Sequence, residues 1–176
     1  KHFSAGMDLA NFVQSDSNGE KKDPARVRET FYHEVLELQD TFSALEECRM
    51  PTIAAIQGAC VGGAIDMAAA CDMRYCSKDA FFKIAEVDIG IAADVGTLQR
   101  LPTLMPLAAV RELSYTGRRF DAGEAKKLGL VNEVFDSRDE LNEEVIKIAK
   151  TIANKSPLVT RVIKKQINYA RDHSVK

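Results

Sequence analysis

Residues 51–76, PTIAAIQGACVGGAIDMAAACDMRYC, constrain the fold more than any other stretch of this chain. The run is apolar almost throughout and is punctuated by Pro51, Gly58 and the pair Gly62-Gly63. Such a run belongs inside a core, because apolar surface left in water costs about 25 cal/mol per Å². Thr52–Gln57, short and bounded by Pro and Gly, reads as a buried strand. Gly58 starts a turn. A helix opens at Gly62-Gly63 and runs to about Ala70. Met73–Cys76 reads as a second strand and Ala80–Ile84 as a third. Strands that alternate with helices in this way imply an α/β class with parallel pairing.

The flanking segments fit that class. Residues 1–10 read as a strand end, a turn at Ala5-Gly6 and a helix start near Asp8. Residues 15–24, SDSNGEKKDP, are a polar loop. After Pro24 the apolar residues Val27, Phe31, Val35, Leu38, Phe42 and Leu45 step by three or four, which predicts one long helix ending at Arg49-Met50-Pro51. Glu86 through Val95 form a loop. Short helices are expected over Thr97–Leu101, Leu107–Tyr115 and Ala122–Leu128, and a strand over Val131–Phe135. Arg138–Ala153 and Pro157–Ala170 are amphipathic helices. Val159, Val162, Ile163, Gln166 and Ile167 line one face of the second, and Ser156-Pro157 caps its start.

Composition narrows the function classes. With 176 residues, 45% hydrophobic and 28% charged, the chain can bury one core. A net charge of -2, without an aromatic-basic stripe, gives no footprint for nucleic acid. No apolar run approaches the roughly 20 residues a membrane span needs. Cys48, Cys60, Cys71 and Cys76 lack paired spacing, and His2, His33 and His173 are far apart, so no metal site is expected. Three or four of the cysteines read as small core residues of a protein kept in a reducing compartment. Lys164-Lys165 reads as a charge pair on a solvated face.

Three acids stand in unusually apolar surroundings. Asp66 follows the glycine pair by three residues and so shares its helix face. Glu86 and Asp94 flank VDIGIAA, which reads as a buried loop that Gly90 can bend so that both acids face one pocket. Carboxylates in such places are paired, protonated or used to move protons. Two neighbouring carboxyls also split their proton affinities, so that one can serve as base and the other as acid. Asp88 reads as a structural acid. The glycine pair lets a ligand approach the backbone closely, and free N–H groups at a helix start can hold an oxyanion. A second donor could come from the turn Ala5-Gly6-Met7.

FSAGMDL, then PTIAAIQGACVGGAIDMAAACDMRYCSKDAFFKIAEVDIGIAADVGTLQRLP, TGRRFDAGEAKKLGLVNEVF and SPLVTRVIKKQINYARDHSV together resemble the crotonase, or enoyl-CoA hydratase/isomerase, superfamily. The likeness covers essentially the whole chain. It implies a spiral of strand-strand-helix turns over residues 1–136, then a helical region over 137–176 that helps to build homotrimers or homohexamers. It also implies an acyl-CoA thioester substrate and no cofactor beyond the coenzyme A that the substrate carries. The oxyanion hole falls on the N–H groups of Met7 and Gly63, and further substrate contacts on Ala5, Gly6, Asp8 and Gly62. The first spiral turns are expected before Lys1, and the chain reads as cut at both ends. Ala64 stands where many members have a third glycine, a change a helix start should tolerate.

Within the superfamily, Asp66, Glu86 and Asp94 with EVDIGIAADVGTLQRLP resemble the dienoyl-CoA isomerase branch. That branch moves a 3,5-diene to 2,4, with catalytic acids at Glu86, Asp94 and Asp66, in mitochondria or peroxisomes. The competing expectations are an enoyl-CoA hydratase, whose members have glycine at the position of Asp94, another enoyl-CoA isomerase, and an RNA-binding relative.

Overall fold

The computed structural model describes residues 1–8 and 23–174. The helix expected beyond Asp8 and most of the polar loop after it therefore lie outside the described residues. Helix α1 spans Pro24–Glu47. Asp23 starts it by accepting a hydrogen bond from the Ala25 N–H at 3.1 Å, with Pro24 pre-set in the first turn. The expected apolar stripe is present, but only its C-terminal half is covered. Phe42 is buried, whereas Val27 and Phe31 stand exposed.

Strand β1 (Ile53–Ile56) runs into Gly58, whose φ of +58° bends the backbone. The bend does not lead straight to a helix. A further strand, β2 (Ala59–Val61), follows before helix α2 (Gly63–Ala70). Strands β3 (Met73–Ser77) and β4 (Phe81–Lys83) repeat the move. Each strand lies in parallel on its counterpart from the previous turn, with Ile53 opposite Met73 and Ala59 opposite Phe81. The product is two three-stranded sheets, β1-β3-β6 and β2-β4-β5, wound by strand-strand-helix turns. Ser4 extends the second sheet through a parallel bridge to Cys60, which is the expected strand end at the start of the chain.

After β4 come a single 3-10 turn (Glu86–Ile89), α3 (Thr97–Leu104) and α4 (Leu107–Thr116). Then β5 (Phe120–Asp121), α5 (Ala122–Leu128), β6 (Glu133–Phe135), α6 (Arg138–Ala153) and α7 (Pro157–Asp172) complete the chain. β5 is two residues long, lies antiparallel to β4, and is the exception to parallel pairing among these strands. It places Phe120 on Phe82, with ring centroids 5.3 Å apart.

The core closes around α2. Ala64, Ile65, Ala68, Ala69 and Ala70 are buried against Ile56, Cys60, Phe82 and Leu101. Small side chains let this helix sit close to both sheets, and Ala64 fits without strain. Arg74, also buried, gives its guanidinium to the carbonyls of Leu130 (2.7 Å), Cys71 (2.5 Å) and Ala68 (3.4 Å), so the carbonyls at the end of α2 are paired. Cys60 and Cys76 are core residues, Cys71 packs beside them and Cys48 is exposed. Burial pushes the Cys76 thiol up to about 12, so it stays protonated.

Helix α7 departs from expectation. Val159, Val162, Ile163 and Ile167 face outward, Ile167 at 64% exposure, and the buried residue is Lys164. Its ammonium pairs with Asp72 at 2.8 Å and donates to the carbonyls of Leu45 and Met50. A buried cation is tolerable only with such partners, and deleting one member of such a pair costs about 3–5 kcal/mol. Asp72 also ties Thr52 through its N–H and hydroxyl at 2.7 and 3.0 Å. Ser156 occupies the cap position of α7, but its side chain makes no cap hydrogen bond.

Candidate active site

The site begins where β2 hands over to α2. The Gly62 N–H donates to the Lys83 carbonyl at 3.0 Å, which ends the strand, and Gly62 then turns at φ +57° and ψ -127°. A side chain there would be strained, and its Cβ would lie 3.2 Å from Glu86 Oε1. Glycine at 62 is thus what brings the Glu86 carboxyl against the backbone turn. Gly63 is the first residue of α2, so its N–H has no acceptor within the helix.

The turn at residues 5–7 packs onto the same spot. Gly6 has φ +95°, and a Cβ on it would lie 2.8 Å from the Val61 carbonyl and 3.7 Å from Gly63 N. Ser4 Oγ accepts from the Gly6 N–H at 3.2 Å and steadies the turn. Met7 Cγ lies 3.4 Å from where a Gly63 Cβ would be. The two expected oxyanion donors therefore belong to adjoining turns, with Ala5 and Asp8 exposed at the edge.

The three acids occupy three different environments. Asp66 is 0% exposed and points away from solvent. Its Oδ1 accepts the Thr97 N–H at 2.6 Å. Burial drives its proton affinity up, against the Thr97 hydroxyl and amide and the Arg100 charge, which favour the ionised form. Glu86 is half-buried at the head of the 3-10 turn. Its pKa is also raised, first by burial and then by the charges of Asp66 and Asp94, while the N–H groups of Ala85 and Glu86 oppose the shift. Among the described residues, Asp66 Oδ2 and Glu86 Oε2 are buried without a hydrogen-bond partner. Asp94 is exposed in the turn before α3, and Gln39 Nε2 of α1 donates to its backbone carbonyl at 2.8 Å.

One expectation needs correction. The spacer between Glu86 and Asp94 is not buried: Val87, Ile89 and Ile91 are exposed and only Ala93 is covered. An apolar run inside a loop carries no periodicity, so it does not say which way its side chains turn. A cavity of about 460 Å³ holds Asp94 with Gln39, Glu46, Arg100 and Arg171, but neither Glu86 nor Asp66 lines it. Asp94 and Asp66 are linked through the 94–97 turn, which carries Asp94 at one end and the amide on Asp66 at the other. Asp88 pairs with Lys83 at 2.6 Å, the structural part expected of it.

Sequence reasoning missed the Thr97 amide, Gln39, Glu46 and Arg100. A hint for the first was Gly96-Thr97 opening a helix; the others lie too far along the chain for spacing to reveal them. Among the described residues, no group of three or more His, Cys, Asp or Glu could hold a metal ion, and no helix is long and apolar enough to cross a membrane.

This arrangement, two amides at adjoining glycine turns with perturbed carboxyls beside them, can be set against known proteins. The family model described as enoyl-CoA hydratase/isomerase matches residues 1–176. The chain belongs to that family. It is 47% identical over 176 residues to a peroxisomal delta(3,5)-delta(2,4)-dienoyl-CoA isomerase of Arabidopsis thaliana, covering 99% of this chain and 63% of the relative. Against the mitochondrial protein of that name from Homo sapiens, identity is 42%, covering 99% of this chain and 54% of the relative. Among solved structures, an enoyl-CoA hydratase from Bacillus anthracis superposes with a TM-score of 0.84 at 33% identity, over 97% of this chain and 62% of that one. The chain thus spans between about half and two thirds of the length of the relatives it matches. The family fold is the spiral described above.

Proposed function

We propose that this chain carries the catalytic acids of a dienoyl-CoA isomerase that converts 3,5-dienoyl-CoA to 2,4-dienoyl-CoA in fatty-acid β-oxidation. One observation carries the reading. The Glu86 carboxyl, its proton affinity raised by burial and by the charges of Asp66 and Asp94, lies against the glycine turn that presents the Gly63 amide. The relatives named for that reaction support it, at 42–47% identity.

The thioester oxygen accepts hydrogen bonds from the N–H groups of Met7 and Gly63. Those bonds strengthen as charge moves onto the oxygen, which acidifies carbon 2. Ionised Glu86 removes a proton from carbon 2, and the electron pair spreads over the diene as an extended dienolate. Asp94 delivers a proton to carbon 6, and the double bonds come to rest at 2 and 4. Glu86 then holds the proton taken from carbon 2, Asp94 lacks the one it gave to carbon 6, and exchange with water resets both. Carbons 2 and 6 are too far apart for one carboxyl to serve both, so two acids in different environments fit the task. Asp66, enclosed behind them, tunes the charge balance of the site. Each acid-base partner is worth roughly 10²–10⁴ in rate.

By the same reasoning the full-length protein acts in mitochondria or peroxisomes, as the relatives' names suggest for them, and assembles as a homotrimer or homohexamer. The uncovered apolar face of α7 suits such an assembly. The test is to give the full-length protein a 3,5-dienoyl-CoA and a 2-enoyl-CoA. Growth of the 2,4-dienoyl absorbance supports the reading. Hydration of the 2-enoyl substrate without a diene shift makes the protein a hydratase and overturns it.

A further inference from the structure

We propose that Glu46 and Arg100 form a positioning clamp that holds the 94–97 turn, and through it sets Asp94 and Asp66 relative to Glu86; the catalytic part of this inference rests on the isomerase reading. The turn needs such a clamp. Its pivot, Gly96, sits at φ +140°, a conformation with no side chain to anchor it. From α1, three side chains reach across to it or to its neighbour Arg100. Gln39 donates to the Asp94 carbonyl at 2.8 Å. Glu46 Oε2 accepts from Arg100 Nε at 2.8 Å, and Ser43 Oγ accepts from Arg100 Nη2 at 3.2 Å.

The guanidinium so held lies directly on the turn. A Cβ on Gly96 would sit 1.9 Å from Arg100 Nη1, and the same point is 3.8 Å from Asp66 Oδ1. Arg100 therefore occupies the space of the missing side chain and stands beside the carboxyl that Thr97 binds. Its own N–H closes the turn onto the Gly96 carbonyl at 2.9 Å. The Arg100 and Glu46 side chains are 14% and 17% exposed, so the pair is mostly withdrawn from water, where geometry counts for more than in an exposed pair. Arg171 of α7 meets the other Glu46 oxygen, which ties the C-terminal helix to the same point.

None of these residues touches the glycine turn that binds the carbonyl. The clamp thus acts on the proton carriers and leaves thioester binding alone. Losing it should lower kcat with little change in KM, since a displacement of about 1 Å in a reacting group can cost up to a hundredfold.

The experiment uses the full-length protein and three variants. Arg100→Met removes the clamp, Arg100→Lys keeps the charge and one contact to Glu46, and Gly96→Ala expels the guanidinium without altering any charge. Hydrogen exchange of the segment around Thr97 is measured by mass spectrometry, alongside kcat and KM for a 3,5-dienoyl-CoA. In Arg100→Met and Gly96→Ala, exchange of that segment should quicken about tenfold or more while the rest of the core keeps its protection. Their kcat should fall by about tenfold or more with KM within about threefold, and Arg100→Lys should lie between them and wild type. Unchanged local exchange overturns the clamp, and so does a quickening spread evenly over the whole chain. A localised quickening in a protein that shows no diene shift leaves the clamp standing and removes the isomerase reading instead.

Discussion

Asp66 and Asp94 sit at opposite ends of one turn and live in different worlds. Asp66 is sealed in the core and tied to a backbone amide, and burial pushes it toward its neutral form. Asp94 faces outward at the edge of a cavity, held through its backbone: its carbonyl accepts from Gln39 and its N–H donates to the Ala92 carbonyl at 2.9 Å. Glu86 is half-buried and feels the charges of both. The contrast teaches that residue type alone assigns no role. A carboxyl that must trade protons with water every turnover belongs where water reaches it; one that sets the field of the site belongs where water does not.

The largest effects should separate the two ends of the reaction. Glu86→Gln in the full-length protein should lower the diene shift by about a hundredfold or more. It should also stop exchange of the carbon 2 protons in heavy water, because the base itself is gone. Asp94→Asn should lower the shift by roughly a hundredfold, yet carbon 2 should keep exchanging, since deprotonation and its reversal still run through Glu86. Proton NMR of the substrate in deuterated buffer reads both. If Asp94→Asn silences exchange and Glu86→Gln preserves it, the two acids trade assignments.

A smaller effect is expected at the glycine turn. Gly62→Ala introduces a side chain at φ +57° that also presses on Glu86 Oε1. The strain costs about 1–2 kcal/mol, measurable as a lower chemical-denaturation midpoint. The acid limb of the rate profile should shift as Glu86 moves. A variant with unchanged stability and rate would show that glycine is not what brings this carboxyl to the turn.

These sites differ in how far the amino-acid sequence reveals them. The strand, glycine pair and helix over residues 53–70 were legible, because a buried helix with glycine at its entrance has few alternatives. The three-residue β2 was not, since a strand that short has no period to detect. β5, two residues long, is set only by what β4 offers it. In α7 the period of Val159, Ile163 and Ile167 is right, but a period cannot say what covers a face. Lys164 is buried because Asp72 and two carbonyls happen to meet it there. Likewise Glu46 and Arg100 lie 54 residues apart, and the amide on Asp66 belongs to the backbone, which has no letter in a sequence.

The smallest expected effect tests the sealed end of the comparison. Asp66 has a raised pKa in the folded state, so folding favours its protonated form. The stability it contributes is complete below the unfolded pKa and is lost as pH rises through the folded one. Asn at 66 keeps an oxygen for the Thr97 N–H but cannot ionise. The melting temperature of Asp66→Asn should therefore gain on wild type as pH climbs from the ordinary carboxylate range toward neutrality. The groups facing Asp66 are Glu86, Arg100, Thr97 and Cys60, and only Glu86 titrates in the same window. Losing the Asp66 charge lowers the Glu86 pKa, so the acid limb of kcat should move to lower pH in the same variant. Two shifts of these signs place the charge of Asp66 inside the field that Glu86 feels. A stability gap that stays constant with pH would mean that Asp66 ionises as easily in the fold as out of it, and the distinction between the two ends of the turn would be lost.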